Sequence, residues 1–155
     1  MIGGGPHQPA IKEYAARIGV ADLCTFTGFV SSWTAVADWC RLLSSVDVGV
    51  EPNPLSEWSD KSTMNKVLDY MYFGVPIVAY DLKENRRSAE AAAVYVTPND
   101  ESELAAGIAA LLDDPARRER MGRIGYERLR RELSWEHSVP QLLAAYDRLT
   151  ERVPA

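Results

Sequence analysis

Residues 62–80 carry a helix, an abrupt stop and a buried strand in immediate succession, and that order commits the chain to an α/β sheet. Apolar side chains at Met64, Val67, Leu68, Met71 and Tyr72 recur at the spacing of one buried helical face. Ser62, Asn65, Lys66 and Asp69 fall on the opposite side, three and four residues apart. Gly74 and Pro76 end the helix, and Pro76 to Ala79 reads as a buried strand. A helix that starts at Ser62-Thr63 presents free backbone N–H groups, the usual seat of a bound phosphate. Asp69, about two turns along the same face, is placed to accept hydrogen bonds from a ribose. Together these features suggest a nucleotide site; the alternative is an amphipathic helix with a solvated polar face.

The flanking segments extend the alternation. Gln8 to Ile18 reads as a helix closed by Gly19, Leu23 to Phe29 as a strand, and Trp33 to Leu43 as a helix. Val46 to Val50 reads as a strand that runs into a Pro52 to Ser56 loop, and the loop continues to Lys61. After the Ile77 strand come a short helix over Asn85 to Ala92 and a last strand at Val94 to Val96. Asp100 and Glu103 form a capping pair for a helix ending at Leu112, and Pro115 opens the next. A C-terminal helix is expected over 134–151, capped by Ser134, with Pro140 giving an irregular first turn. Strands alternating with helices imply a Rossmann-like parallel sheet with helices on both faces. Ligands of such sheets bind beyond the carboxyl ends of the strands, here Phe29-Val30, Glu51-Pro52 and Asp81-Leu82.

The chain has 155 residues, enough for one domain with a real core, and a formal charge of −5, which argues against a nucleic-acid partner. The arginines between Arg117 and Arg131 are interleaved with Glu119 and Glu127, the pattern of a solvated helix face with internal ion pairs. Cys24 and Cys40 lie in apolar segments without metal-ligand spacing and read as buried free thiols, and no metal site is expected. No apolar run approaches a membrane span and no signal peptide precedes the first motif, so a cytoplasmic chain with no transmembrane segment is expected. Among nucleotide-binding folds, a dinucleotide-dependent oxidoreductase is disfavoured. The turn at Gly3-Gly4-Gly5 has Gln8 where the third glycine of that fingerprint belongs, and only Met1-Ile2 precede it.

An ordered set of motifs then resembles one family. Gly3-Gly4-Gly5-Pro6, Phe26-Thr27-Gly28-Phe29-Val30, Asn65-Lys66-Val67-Leu68-Asp69-Tyr70-Met71 and Gly74-Val75-Pro76-Ile77-Val78-Ala79 follow each other in its order. So do Asp81-Leu82-Lys83-Glu84-Asn85-Arg86, Tyr95-Val96-Thr97-Pro98-Asn99-Asp100 and Met121-Gly122. The chain resembles, over nearly its whole length, the C-terminal donor-binding domain of GT-B glycosyltransferases of family 4, glycosyl transferase group 1. The resemblance implies transfer of a sugar from a nucleotide diphosphate sugar, such as a UDP- or GDP-sugar, with retention and without a cofactor. It implies that Phe29 and Val30 meet the base, that Met64, Asn65 and Lys66 hold the diphosphate, in agreement with the anion site read at Ser62-Thr63, and that Asp69 meets the ribose. Lys61 and Lys66 are the available cations, and Glu84, at the end of the Asp81 strand, either reaches the donor or caps the helix that follows. It assigns no catalytic residue.

Two departures accompany the resemblance. Asp69 stands where the family's E-x7-E motif has its second glutamate, and Lys61 occupies the first acidic position. The family's domain also begins with a strand, an Arg-x4-Lys loop, a helix and a second strand ahead of the Gly-rich turn. The chain is therefore expected to be a single truncated nucleotide-sugar-binding domain, 1–155, without the first strands. The expectation that competes with an active enzyme is a non-catalytic fragment, or a subunit needing a partner chain that carries the N-terminal acceptor domain. An epimerase using the same kind of donor site is a further competitor.

Overall fold

The computed structural model describes residues 1–30 and 35–150, which fall into two compact units, Met1–Ser45 and Val46–Ala155. In the first, α1 (Gln8–Arg17) ends at Gly19 in the left-handed region, φ +76, and α2 spans Val36–Leu43. The start expected for α2 at Trp33 lies outside the described residues. The expected strand over Leu23 to Phe29 does not form. Ala21–Leu23 is a 3₁₀ turn, and the segment after it makes only an isolated antiparallel bridge between Gly3 and Gly28. Cys24 is exposed rather than buried, a consequence of that irregular path.

The second unit is built on a three-stranded parallel sheet in the order β1 (Gly49–Glu51), β2 (Ile77–Tyr80), β3 (Ala93–Val96). Crossovers through α3 (Asn65–Tyr72) and α4 (Lys83–Ala89) join them, and α5 (Glu101–Leu112) and α6 (Pro115–Arg128) follow. A π-helical turn, Leu129–Leu133, leads into α7 (Trp135–Thr150). All four residues of β2 are buried, as the central strand of a sheet covered on both faces requires. Ile77 and Ala79 pack against Met64, Val67 and Met71 at α3 and against Ala89 of α4. Val78 points the other way, onto Leu111 of α5 and Met121 of α6. Each such side chain taken from water contributes roughly 1.5–3 kcal/mol.

Several local expectations are corrected. The helix read from Ser62 begins at Asn65, because Met64 keeps extended backbone (ψ 113) and Ser59–Lys61 forms its own 3₁₀ turn. Tyr72 is 59% exposed, stacked edge-on against Phe73, so the buried stripe of α3 is narrower than its apolar pattern. Ser134 does not cap α7 with its side chain; its hydroxyl has no hydrogen bond, and only its carbonyl accepts, from the His137 N–H. Pro140 lies inside α7, and the irregularity comes earlier, in the π turn. Two of the arginines read as solvated are structural. The Arg118 guanidinium donates to the carbonyls of Leu111 and Leu112 at the end of α5. Arg128 donates to those of Arg87 and Ser88 at the end of α4.

Candidate functional site

The carboxyl ends of β1 and β2 open onto a rim formed by residues 52–64 and 81–84 and by the starts of α3 and α4. β1 ends in Glu51, which pairs in register with Ala79 and so shares the sheet face covered by α3. Its side chain is 0% exposed. Oε1 accepts from the Asn53 N–H at 3.0 Å, and Oε2 lies 2.9 Å from Lys66 Nζ, an ion contact whose angles fall short of a hydrogen bond. Asn53 in turn donates from Nδ2 to the Met64 sulfur at 3.1 Å, so the end of β1 is tied to the residue that precedes α3. Two residues back, Gly49 leaves room for the Tyr70 ring; a Cβ there would lie 2.5 Å from Tyr70 Cδ2.

The loop that follows is closed on itself. Ser59, 3% exposed, donates from Oγ to the Pro54 carbonyl at 2.6 Å and accepts from the Ser56 N–H at 2.9 Å, while the Ser59 N–H donates to Ser56 Oγ. Asp60 leaves this loop to meet α4: its Oδ1 accepts from the Lys83 N–H, and its Oδ2 faces Lys83 Nζ, both at 2.9 Å. The Lys83 N–H, then the Lys83 ammonium, hold the Asp60 carboxyl below its ordinary value. The start of α4 is thus filled by a protein carboxylate. The start of α3 has no such side chain: Met64, at its N-cap position, supplies no side-chain hydrogen bond, and only its carbonyl accepts, from the Val67 N–H at 2.9 Å.

The expected site residues divide between the two units. Phe29, with an 84% exposed side chain, and Val30 lie in the first unit; a Cβ on Gly4 would come within 3.3 Å of the Phe29 nitrogen. Lys61, Ser62, Thr63, Met64, Asn65, Lys66, Asp69 and Glu84 lie in the second. Lys61 points to Glu57 at 2.8 Å, both well exposed, and Ser62 Oγ donates to the Trp58 carbonyl at 2.6 Å. Thr63 Oγ1 donates to Glu84 Oε2 at 3.1 Å, a clip between the approach to α3 and the first turn of α4. Met64 is buried and Asn65 exposed. Asp69 is half-buried with no ion pair among the described residues, and burial pushes its carboxyl above the ordinary value. Sequence pattern marks Glu51 only as a strand end at the rim and gives no signal for Asn53, Ser59 or Asp60. The signal for Glu51 was an acid directly continuing the apolar Val48-Gly49-Val50 run.

A parallel sheet whose two crossover helices share one face, with the start of α3 uncapped by a side chain at the carboxyl rim, is an α/β Rossmann-like fold, and its solved neighbours are GT-B proteins. The fold is that of sucrose-phosphate synthase from Thermosynechococcus elongatus, with a TM-score of 0.77, 23% identity and coverage of 98% of this chain and 38% of that one. It is also that of Anabaena HepE, solved in complex with UDP, with a TM-score of 0.66, 18% identity and coverage of 93% and 40%. The model of the family described as glycosyl transferases group 1 matches residues 1–114, and the chain belongs to that family. Among curated relatives, the MMP alpha-(1->4)-mannosyltransferase of Mycolicibacterium hassiacum is 30% identical, over 97% of this chain and 35% of its own length. The D-inositol 3-phosphate glycosyltransferase of Thermomonospora curvata is 29% identical, over 99% and 34%. The chain therefore spans about a third of the length of these relatives. Among the described residues no helix is long and apolar enough to cross a membrane.

Proposed function

We propose that this chain is the donor-binding part of a retaining glycosyltransferase that takes a sugar from a nucleotide diphosphate sugar, a UDP- or GDP-sugar, without a cofactor. The observation that carries the reading is the start of α3, left without a side-chain cap by Met64 while Lys66 stands in its first turn. The diphosphate of the donor lies there, against the Asn65 and Lys66 N–H groups and the Lys66 ammonium, with Ser62 and Thr63 beside it. As the sugar leaves, negative charge builds on that diphosphate, and fixed donors aimed at it lower the barrier. Asp69 accepts from the ribose hydroxyls, and Glu84 faces the donor sugar across its clip to Thr63. Lys61, where the family carries an acid, leaves the sugar end of the site to Glu84. The enzyme acts in the cytoplasm, where Cys24 and Cys40 remain free thiols.

A second reading is favoured by one observation, the third or so of the relatives' length that the chain spans. Here the chain is a fragment or subunit that binds donor and transfers sugar only with a partner bearing the acceptor domain. Calorimetric titration with UDP and GDP, repeated with Asp69→Ala, tests donor binding. Saturable binding that the variant loses supports the donor site, and no binding by the folded protein removes it. Turnover of a labelled donor by the binding-competent chain alone would exclude the partner-dependent reading.

A further inference from the structure

Glu51 is a buried carboxylate for which the donor reading has no use. Taking such a group out of water costs several kcal/mol unless a countercharge meets it, and a hydrophobic residue in its place would cost nothing of the kind. Its only ion pair among the described residues is with Lys66. Lys66 is itself misplaced by local rules, since a cation in the first turn of a helix opposes the positive end of the helix dipole. Neither residue is explained by the stability of its own element. Each is explained by the other.

We propose that Glu51 is a positioning residue that holds the Lys66 ammonium beside the open start of α3, where the donor diphosphate is received. The parts form one fixture: Oε1 is fixed by the Asn53 N–H, the Asn53 side chain by the Met64 sulfur, and Oε2 faces Lys66 Nζ. A flexible lysine stem with a 41% exposed side chain is thereby given one direction. A glutamate that orients a phosphate-binding lysine has a precedent in the ion pair of protein kinases, on an unrelated fold. The proposal rests on the donor reading, because it needs a diphosphate at α3. Its rival is simple neutralisation, in which Glu51 only cancels the charge of Lys66 and weakens anion binding. The two give opposite signs.

The test is calorimetric titration of the protein, Glu51→Gln and Glu51→Gln/Lys66→Gln with UDP, UMP and uridine, and with GDP, GMP and guanosine. The wild type is expected to prefer the diphosphate to the nucleoside. Glu51→Gln is expected to lower that preference on the order of tenfold, the worth of a well-placed hydrogen bond to a charged group, with nucleoside affinity unchanged. The double variant is expected to lose no more. A preference unchanged or raised in Glu51→Gln overturns the proposal while leaving the donor reading intact. A folded wild type that binds none of these ligands overturns both. If circular dichroism shows Glu51→Gln unfolded, Glu51→Asp replaces it: the shortened carboxylate is expected to lower the preference, and an unchanged or raised preference overturns the proposal equally.

Discussion

Gly74 and Gly122 meet backbone against backbone: a Cβ on Gly122 would fall 1.9 Å from the Gly74 carbonyl oxygen. Gly74 also has a φ of +66, so it both stops α3 in the left-handed region and lets α6 reach the helix end. The residue that stops α3 is also the one that α6 meets through Gly122.

That contact cannot relax by moving a side chain. Gly122→Ala is expected to cost more than about 3 kcal/mol, in the range of severe core substitutions. Gly107→Ala is the control. Its Cβ would meet side chains rather than backbone, Val78 Cγ1 at 3.0 Å and Val96 Cγ1 at 3.4 Å, a crowding of a few tenths of an ångström set against about 1 kcal/mol of helix propensity gained over glycine. Urea unfolding of both variants should show a large fall in midpoint for Gly122→Ala and a small change for Gly107→Ala.

Lys66 neutralises a carboxylate that cannot reach water. Lys66→Ala is expected to destabilise by roughly 2–3 kcal/mol, less than the full penalty for orphaning a buried charge because the Lys66 side chain is itself part exposed. Glu51→Gln/Lys66→Gln removes both charges and should recover most of the loss. A double variant no more stable than Lys66→Ala in chemical denaturation would contradict the pairing.

On the proposed donor reading, Asp69 sets stability against ligand binding. Burial raises its carboxyl above 3.8, so the folded state holds the proton to higher pH than the unfolded state does. The cost of the ionised form is absent below the unfolded value, grows as pH rises through the folded one, and is constant above it. Asp69→Asn should therefore raise Tm at neutral pH, with the gain disappearing in acid below the ordinary carboxylate value, and it should weaken UDP and GDP binding. Thermal melts across pH, with titrations at neutral pH, measure both.

Asp60 has the opposite sign. The Lys83 N–H and ammonium lower its carboxyl, so its contribution is present above the unfolded value of 3.8 and is lost as pH falls through the lower folded one. Asp60→Asn should unfold at lower urea than the wild type at neutral pH, and the two curves should converge in acid. Parallel curves at every pH would show that the carboxylate charge does nothing for α4.

The parallel sheet was legible because its strands are bounded by signals of local physics. Gly74 requires a left-handed turn, the Asp100 carboxylate accepts from the Glu103 N–H, and the Asp114 carboxylate does the same for Arg117 behind Pro115. The strand expected at Leu23 was not realised, since a strand needs a neighbour and periodicity cannot say whether one is present. In the site, the α3 residues were legible from spacing. Glu51 was visible as a rim position, but its importance depends on burial and on Lys66, fifteen residues later and brought back by a crossover. Asp60 escaped notice for the same reason: its target, the Lys83 N–H, lies beyond an entire helix and strand.

The unequal treatment of the two crossover helices gives the rim a polarity. Asp60 and the Lys83 ammonium form a neutral pair over the start of α4, whereas at α3 the Val67 N–H turns back to the Met64 carbonyl and no side chain caps the end, so the two crossovers leave the sheet with unlike electrostatic ends.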